Sequence, residues 1–203
     1  MRIAIVTFDG FNELDAFIAL GLLNRLGTRG WTAEIASPTS HVTSMNGVTV
    51  QAQRPLEFAN EADAVVFGSG LYARAIADNS ALLDRLQLDP LRQLVAGQCS
   101  GVLLMARLGL IADAPACTDL ATKPWVVEAG VRVVDEPFHA HGPVATAGGC
   151  LASPYLAAWL MAKRAGLDVA AQALHEAAPV GEKDAYVARI LQVVRPFVDA
   201  GGG

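Results

Sequence analysis

The chain has 203 residues, 53% hydrophobic and 17% charged, with a formal net charge of −5. That balance describes a well-cored globular domain and excludes a disordered chain. The acidic excess, with no basic cluster, argues against a nucleic-acid surface, and no segment reads as a membrane span or a signal peptide.

Apolar runs of strand length alternate with segments of helical period, the pattern of a mostly parallel sheet covered by helices on both faces. Residues 2–8 form the first expected strand. Asn12 is placed to cap a helix whose residues Leu14, Phe17, Ile18, Gly21 and Leu22 recur at helical spacing, and Gly27 and Gly30 end it. Residues 31–36 give a second strand. Residues 42–45 and 48–51, joined by Asn46-Gly47, spell a β-hairpin with a type I′ turn. Residues 64–67 are a short buried strand running into Gly68-Ser69-Gly70, residues 71–86 read as one helix, and residues 94–97 are a strand. Residues 131–134 and 144–147 read as strands about a turn-rich segment. Ser153-Pro154 has the form of a helix start, a capping hydroxyl before proline at the first helical position. That helix presents Tyr155, Leu156, Trp159 and Leu160 and ends at Gly166. A last helix, 183–194, stops at Pro196. Residues 1–200 read as one domain and 201–203 as a disordered tail.

The stretch richest in chemical meaning is Gly97-Gln98-Cys99-Ser100-Gly101, between the strand at 94–97 and an apolar helical run. Glycines on either side allow a sharp strand-to-helix reversal with close packing, the logic of a nucleophile elbow. The amides that open the following helix are expected to stabilise a thiolate at Cys99. Ligands of open α/β sheets bind beyond the carboxyl ends of the strands. The turn after Phe8, the Gly68-Ser69-Gly70 turn and Cys99 are therefore expected to meet there. Asp15, among apolar neighbours, is either the solvated edge of an amphipathic helix or a buried acid. If desolvated beside Cys99 it would hold a proton near neutrality and could donate a hydrogen bond to the thiolate. Glu13 is the competing acid, and its place in the first helical turn also fits dipole compensation.

Other polar residues carry blander readings. Cys99, Cys117 and Cys150 are odd in number and lack metal-ligand spacing, which points to a reducing compartment, the cytoplasm, and to no metal site. Cys117 and Cys150 read as small buried apolar residues, and His139 and His141 as turn or surface residues. No GxGxxG pattern is present, so no nucleotide cofactor is expected.

Four segments together resemble the ThiJ/PfpI superfamily, of the class I glutamine amidotransferase-like type. They are residues 8–15, the Gly68-Ser69-Gly70 turn, the Gln98-Cys99-Ser100-Gly101 elbow and the run at 142–149. The resemblance implies a doubly wound, flavodoxin-like α/β sheet with a small β-hairpin, acting on a small molecule and pairing as a homodimer. Within the superfamily the chain looks most like the isocyanide hydratase branch, in which an aspartate stands where many relatives have glutamate. By that resemblance Cys99 is the nucleophile and Asp15 the general acid/base. Ser69, Gly70 and Ser100 then supply backbone amides to the substrate or a developing oxyanion. Many relatives carry a histidine after the elbow helix where this chain has Asp119, which weakens a Cys-His hydrolase reading. The implied reaction is hydration of an isocyanide to an N-substituted formamide. The alternatives are a cofactor-independent glyoxalase or deglycase, and a redox-responsive stress protein without turnover.

Overall fold

Continuous runs of Ile, Val and Ala cannot leave either face of a strand in water, so they seek the middle of a sheet. The computed structural model describes residues 1–111 and 113–198, and the tail expected at 201–203 lies outside them. In chain order the strands are β1 (Arg2–Val6), β2 (Thr32–Ser37), β3 (His41–Thr43), β4 (Thr49–Gln51), β5 (Arg54–Pro55), β6 (Ala64–Phe67), β7 (Leu94–Gln98), β8 (Phe138–His141) and β9 (Val144–Ala147). The helices are α1 (Glu13–Leu23), α2 (Phe58–Glu61), α3 (Ala73–Ala77), α4 (Ser80–Leu83), α5 (Gly101–Arg107), α6 (Lys123–Glu128), α7 (Ser153–Ala165), α8 (Leu167–Ala177) and α9 (Lys183–Val194). Seven strands form one sheet in the order β5-β2-β1-β6-β7-β9-β8, parallel except for the antiparallel β8–β9 edge pair. β3 and β4 make a separate antiparallel hairpin. This is the expected flavodoxin-like α/β arrangement.

Alternate residues of each strand feed two cores. Ile3 and Ile5 face Leu23, Leu156 and Trp159, under α1 and the α7–α9 group. Ala4 and Val6 face Leu103, Leu104 and Met105 on the opposite side, beneath α5. The chain leaves β1 toward β2 on one side and returns to β6 on the other. Register aligns Val6 with Phe67, Phe67 with Gly97, and Gln98 with Ala147. The carboxyl ends of β1, β6, β7 and β9 therefore lie together at the point where strand order reverses, the usual place for a ligand crevice.

Several expectations at element scale need correction. The first strand ends at Val6, two residues early, and α1 gives way at Asn24 to a 3₁₀ segment, Asn24–Arg29, closed by left-handed Gly30. The helix expected over 71–86 is two short ones, because Asn79 caps α4 afresh by accepting from the Leu82 N–H. The segment at 131–134 pairs only as a bridge between Val133 and Ala116, and the edge strand is β8. Residues 167–177, for which no element was expected, form α8 beyond Gly166, whose φ is 94°.

The hairpin also departs from a two-residue type I′ loop. A type I′ turn needs positive φ at both central residues, and only Gly47 (φ 84°) has it. Gly47 N–H instead donates to Ser44 O, and Met45 N–H to Phe11 O, so the loop spans five residues and is tied to the segment before α1.

Candidate active site

Cys99 sits at the end of β7 with φ of 49°, the only non-glycine residue at positive φ among the described residues. The left-handed conformation costs a side-chain-bearing residue roughly 1–2 kcal/mol. Two hydrogen bonds hold it there: Cys99 N–H donates to Ala147 O at 2.9 Å, and Thr118 Oγ1 donates to Cys99 O at 2.8 Å. The flanking glycines do a different job from the reversal itself. A Cβ on Gly101 would lie 2.7 Å from Gly68 O, and one on Gly97 would strike the Met105 sulfur. They let β7 and α5 pack against β6 and against each other.

The acid at Cys99 is Asp15. Asn12 fixes the start of α1: its N–H donates to Ser69 O at 2.8 Å and its Oδ1 accepts from Leu14 N–H at 3.0 Å. That capped start turns Asp15, completely buried, inward to the elbow. One carboxylate oxygen of Asp15, the Cys99 sulfur and the Cys150 sulfur lie within 4.8 Å of one another. Asp15 Oδ2 accepts the Ser69 N–H at 3.2 Å and Oδ1 accepts Gln98 Nε2 at 3.2 Å. Burial pushes its carboxyl up to about 6, opposed by the hydrogen bonds from Ser69 and Cys99 and reinforced by the Asp119 charge.

Glu13 is placed elsewhere. Its carboxylate accepts from Ser44 Oγ and from Asn46 Nδ2 (2.8 Å), anchoring the hairpin to α1, and the Ser44 hydrogen bond first of all lowers its pKa. Sequence left the two acids in competition, and hydrogen bonding separates them. Asp119 accepts from the Ala121 and Thr122 N–H groups and acts on the pair only through its charge.

The expected resting thiolate is corrected. Burial, then the charges of Asp15, Asp119 and Cys150, push the Cys99 thiol well above its usual range, while the Gly149 N–H works the other way. Near neutrality the carboxylate is therefore the base and the thiol holds the proton. The amides of the Gly68-Ser69-Gly70 turn are engaged within the protein: Ser69 N–H on Asp15, and Gly70 N–H on Ser100 Oγ at 3.1 Å. The convergence of the three turns is met: Phe11, after the first strand, bridges Gly70, and Gly70 N–H reaches Ser100 Oγ, the residue next to Cys99.

Four participants escaped the sequence reading. Gln98, fully buried, donates through Nε2 to Gly149 O (2.9 Å) and Cys150 O (3.0 Å) as well as to Asp15. Its Oε1 accepts from Ser153 Oγ at 2.8 Å, so Ser153 braces the network rather than capping α7. Gly149 N–H acts on the Cys99 thiol in the direction that lowers its pKa. Cys150 is half-buried, not a sealed core residue, and its sulfur accepts from Asn12 Nδ2 at 3.1 Å. A glutamine immediately before the elbow cysteine was the one signal on which Gln98 could have been suspected.

Histidine is absent from this constellation among the described residues. His41 lies against Ser40, His139 against Glu136 and Phe197, and His175 against Asp184, while His141 is exposed on the edge strand β8. Asp15, Cys99 and Cys150 also form the one group among the described residues whose spacing could ligate a metal, with donors that suit a soft divalent ion. Cys99 is 2% exposed, whereas Ser69, Asp119 and Cys150 are half-buried. The arrangement can deliver one proton between a thiol and a carboxylate next to an electrophilic carbon.

A family model described as DJ-1/PfpI matches residues 1–163. No curated protein matches the sequence. Among solved structures, Drosophila melanogaster DJ-1beta is similar at 20% identity and a TM-score of 0.73, over 87% of this chain and 96% of that one. A ThiJ/PfpI family protein from Pseudomonas syringae is similar at 15% identity and a TM-score of 0.76, over 100% and 90% respectively. Toxoplasma gondii DJ-1, in an oxidized form, is similar at 18% identity and a TM-score of 0.72, over 87% and 97%.

Proposed function

The chain belongs to the DJ-1/PfpI family, and from that premise we propose that it hydrates small isocyanides to N-substituted formamides, with Cys99 as nucleophile and Asp15 as general acid/base. The observation that carries the reading is a buried carboxylate beside the elbow thiol, with no imidazole in attendance among the described residues. A hydrolase of the Cys-His kind needs a base able to protonate an amine leaving group. Hydration of an isocyanide expels no amine, only the enzyme's own sulfur, and a single carboxyl group suffices.

Asp15 takes the thiol proton as the Cys99 sulfur bonds to the terminal isocyanide carbon. It returns that proton to the same carbon, leaving a thioimidate. Water then adds to the thioimidate carbon, one of its protons passing through Asp15 to nitrogen. The C–S bond breaks as the remaining hydroxyl proton passes by way of Asp15 to sulfur, which regenerates the thiol and releases the formamide. Covalent catalysis thus divides one hard addition into two easier ones. Ser100, Ser69 and Gly70 line the approach in this scheme. Gly149 N–H supports the sulfur whenever it carries charge. The unpaired cysteines suit a reducing compartment such as the cytoplasm.

Purified protein and an alkyl isocyanide test the reading. Formamide is expected from the wild type and none above background from Cys99→Ala. A Cys99→Ala protein with full turnover, or a wild type that converts methylglyoxal but no isocyanide, would overturn it. The oxidized form of the Toxoplasma gondii relative keeps a redox-responsive role in view, since a reactive thiol is also an oxidisable one.

A further inference from the structure

Cys150 has no step in the hydration scheme, yet its sulfur lies within 4.8 Å of both the Cys99 sulfur and the Asp15 carboxylate. Three features distinguish it from Cys117, which is fully buried. Cys150 is half-buried; its sulfur accepts a hydrogen bond from Asn12 Nδ2 at 3.1 Å; and it opens a short 3₁₀ segment, Cys150–Ala152, immediately after Gly149 at φ 96°. Nothing lies within 4 Å of where a Cβ on Gly149 would be, so that side of the chain before Cys150 is unobstructed.

We propose that Cys150 is the resolving thiol of Cys99, closing a Cys99–Cys150 disulfide after a hydroperoxide has oxidised the nucleophile. In the first step the Cys99 sulfur attacks the peroxide O–O bond. Sulfur is oxidised to the sulfenic acid, the peroxide is reduced, and an alcohol or water departs. In the second, the Cys150 sulfur attacks the Cys99 sulfur and an S–S bond forms as the S–O bond breaks. The Cys150 proton, relayed by Asp15, leaves with the hydroxyl as water. A disulfide bond of about 2.05 Å requires the two sulfurs to close by no more than about 3 Å, within reach of a side-chain rotation and a small turn at Gly149. The competing fate of an isolated sulfenic acid is further oxidation to the sulfinic acid, which is irreversible without a dedicated repair enzyme. Cys150 thus converts a one-way loss of the nucleophile into a reversible pause. The inference rests on the proposed function only in taking Cys99 as the reactive thiol.

The test is peptide mass spectrometry of the full chain after hydrogen peroxide, quenched by alkylation without reductant. Trypsin places Cys99 in peptide 93–107, Cys117 in peptide 108–132 and Cys150 in peptide 133–163. The expected product is peptide 93–107 linked to 133–163, two hydrogens lighter than the sum, and restored by dithiothreitol. Cys150→Ser and Cys150→Ala should instead accumulate Cys99 sulfinic acid, about tenfold more than the wild type at equal peroxide. The proposal is overturned if the wild type forms sulfinic acid as fast as the variants, if Cys99 links to peptide 108–132, or if Cys99 does not oxidise. Isocyanide turnover of untreated protein is read separately. A protein that forms the link without turnover refutes the hydratase alone, and one that turns over without the link refutes the resolving thiol alone.

Discussion

Asp15 keeps its charge inside the protein because the Ser69 N–H and Gln98 Nε2 each meet one of its oxygens. Those bonds do not fully offset burial, and the carboxyl remains protonated up to about pH 6. Two consequences can be measured. As the base that accepts the thiol proton, Asp15 must be ionised, so kcat/KM for an isocyanide should fall about tenfold per pH unit below 6, and Asp15→Asn should lose both that limb and most of the activity. For stability, the folded carboxyl titrates about two units above its unfolded value near 3.8, so between those values the native state binds more protons than the unfolded one. Wild-type stability relative to Asp15→Asn should therefore be greatest below pH 4 and decline by up to about 3 kcal/mol as pH rises past 6. Urea denaturation of both proteins at several pH values checks this, and a difference that is flat with pH would refute it.

At the scale of elements, the elbow separates two roles that glycine usually combines. Cys99 takes the left-handed conformation, and Gly97 and Gly101 provide clearance. The clearances are unequal. A methyl on Gly101 meets main-chain atoms of Phe67 and Gly68, which the β6–β7 ladder holds in place, whereas one on Gly97 meets the end of the Met105 side chain, which can rotate. Gly101→Ala should accordingly cost about 3 kcal/mol or more and Gly97→Ala about 1 kcal/mol, read as shifts in the urea midpoint. The elbow and strands β6, β7 and β9 were visible in sequence because short apolar runs ending in glycine have few other uses. The division of 71–86 and the hairpin loop were not, because both turn on hydrogen bonds. Asn79 captures the Leu82 N–H within its own segment, and Ser44 and Asn46 hold Glu13 from across the fold. The same limit hid Cys150 and Ser153, since their partners Asn12 and Gln98 are 138 and 55 positions away.

Over the whole molecule, apolar side chains remain in water close to the site. Leu14, Leu71, Tyr72, Met45 and Val48 are 41–59% exposed and belong to three segments joined by the Phe11 bridges to Ser44 and Gly70. Exposed apolar area of this kind commonly marks an interface. We expect two copies to pair across it, which sedimentation equilibrium should report as a dimer. Leu14→Glu combined with Leu71→Glu should shift that equilibrium to monomer, and a wild type that stays monomeric at micromolar concentrations would refute the pairing. Among the described residues no helix is long and apolar enough to cross a membrane.

The internal engagement of the Ser69 and Gly70 amides bears on what this crevice rejects. An ester or peptide carbonyl gathers negative charge on oxygen at its first covalent step and depends on free donors to bear it. Here two of the donors best situated for that duty already serve the general base and a neighbouring hydroxyl. Acyl compounds would thus meet a wall already spoken for, while a carbon that carries no oxygen when sulfur first reaches it asks nothing of those groups. Discrimination between the two substrate classes would then be built into the resting backbone, before any side chain touches the guest.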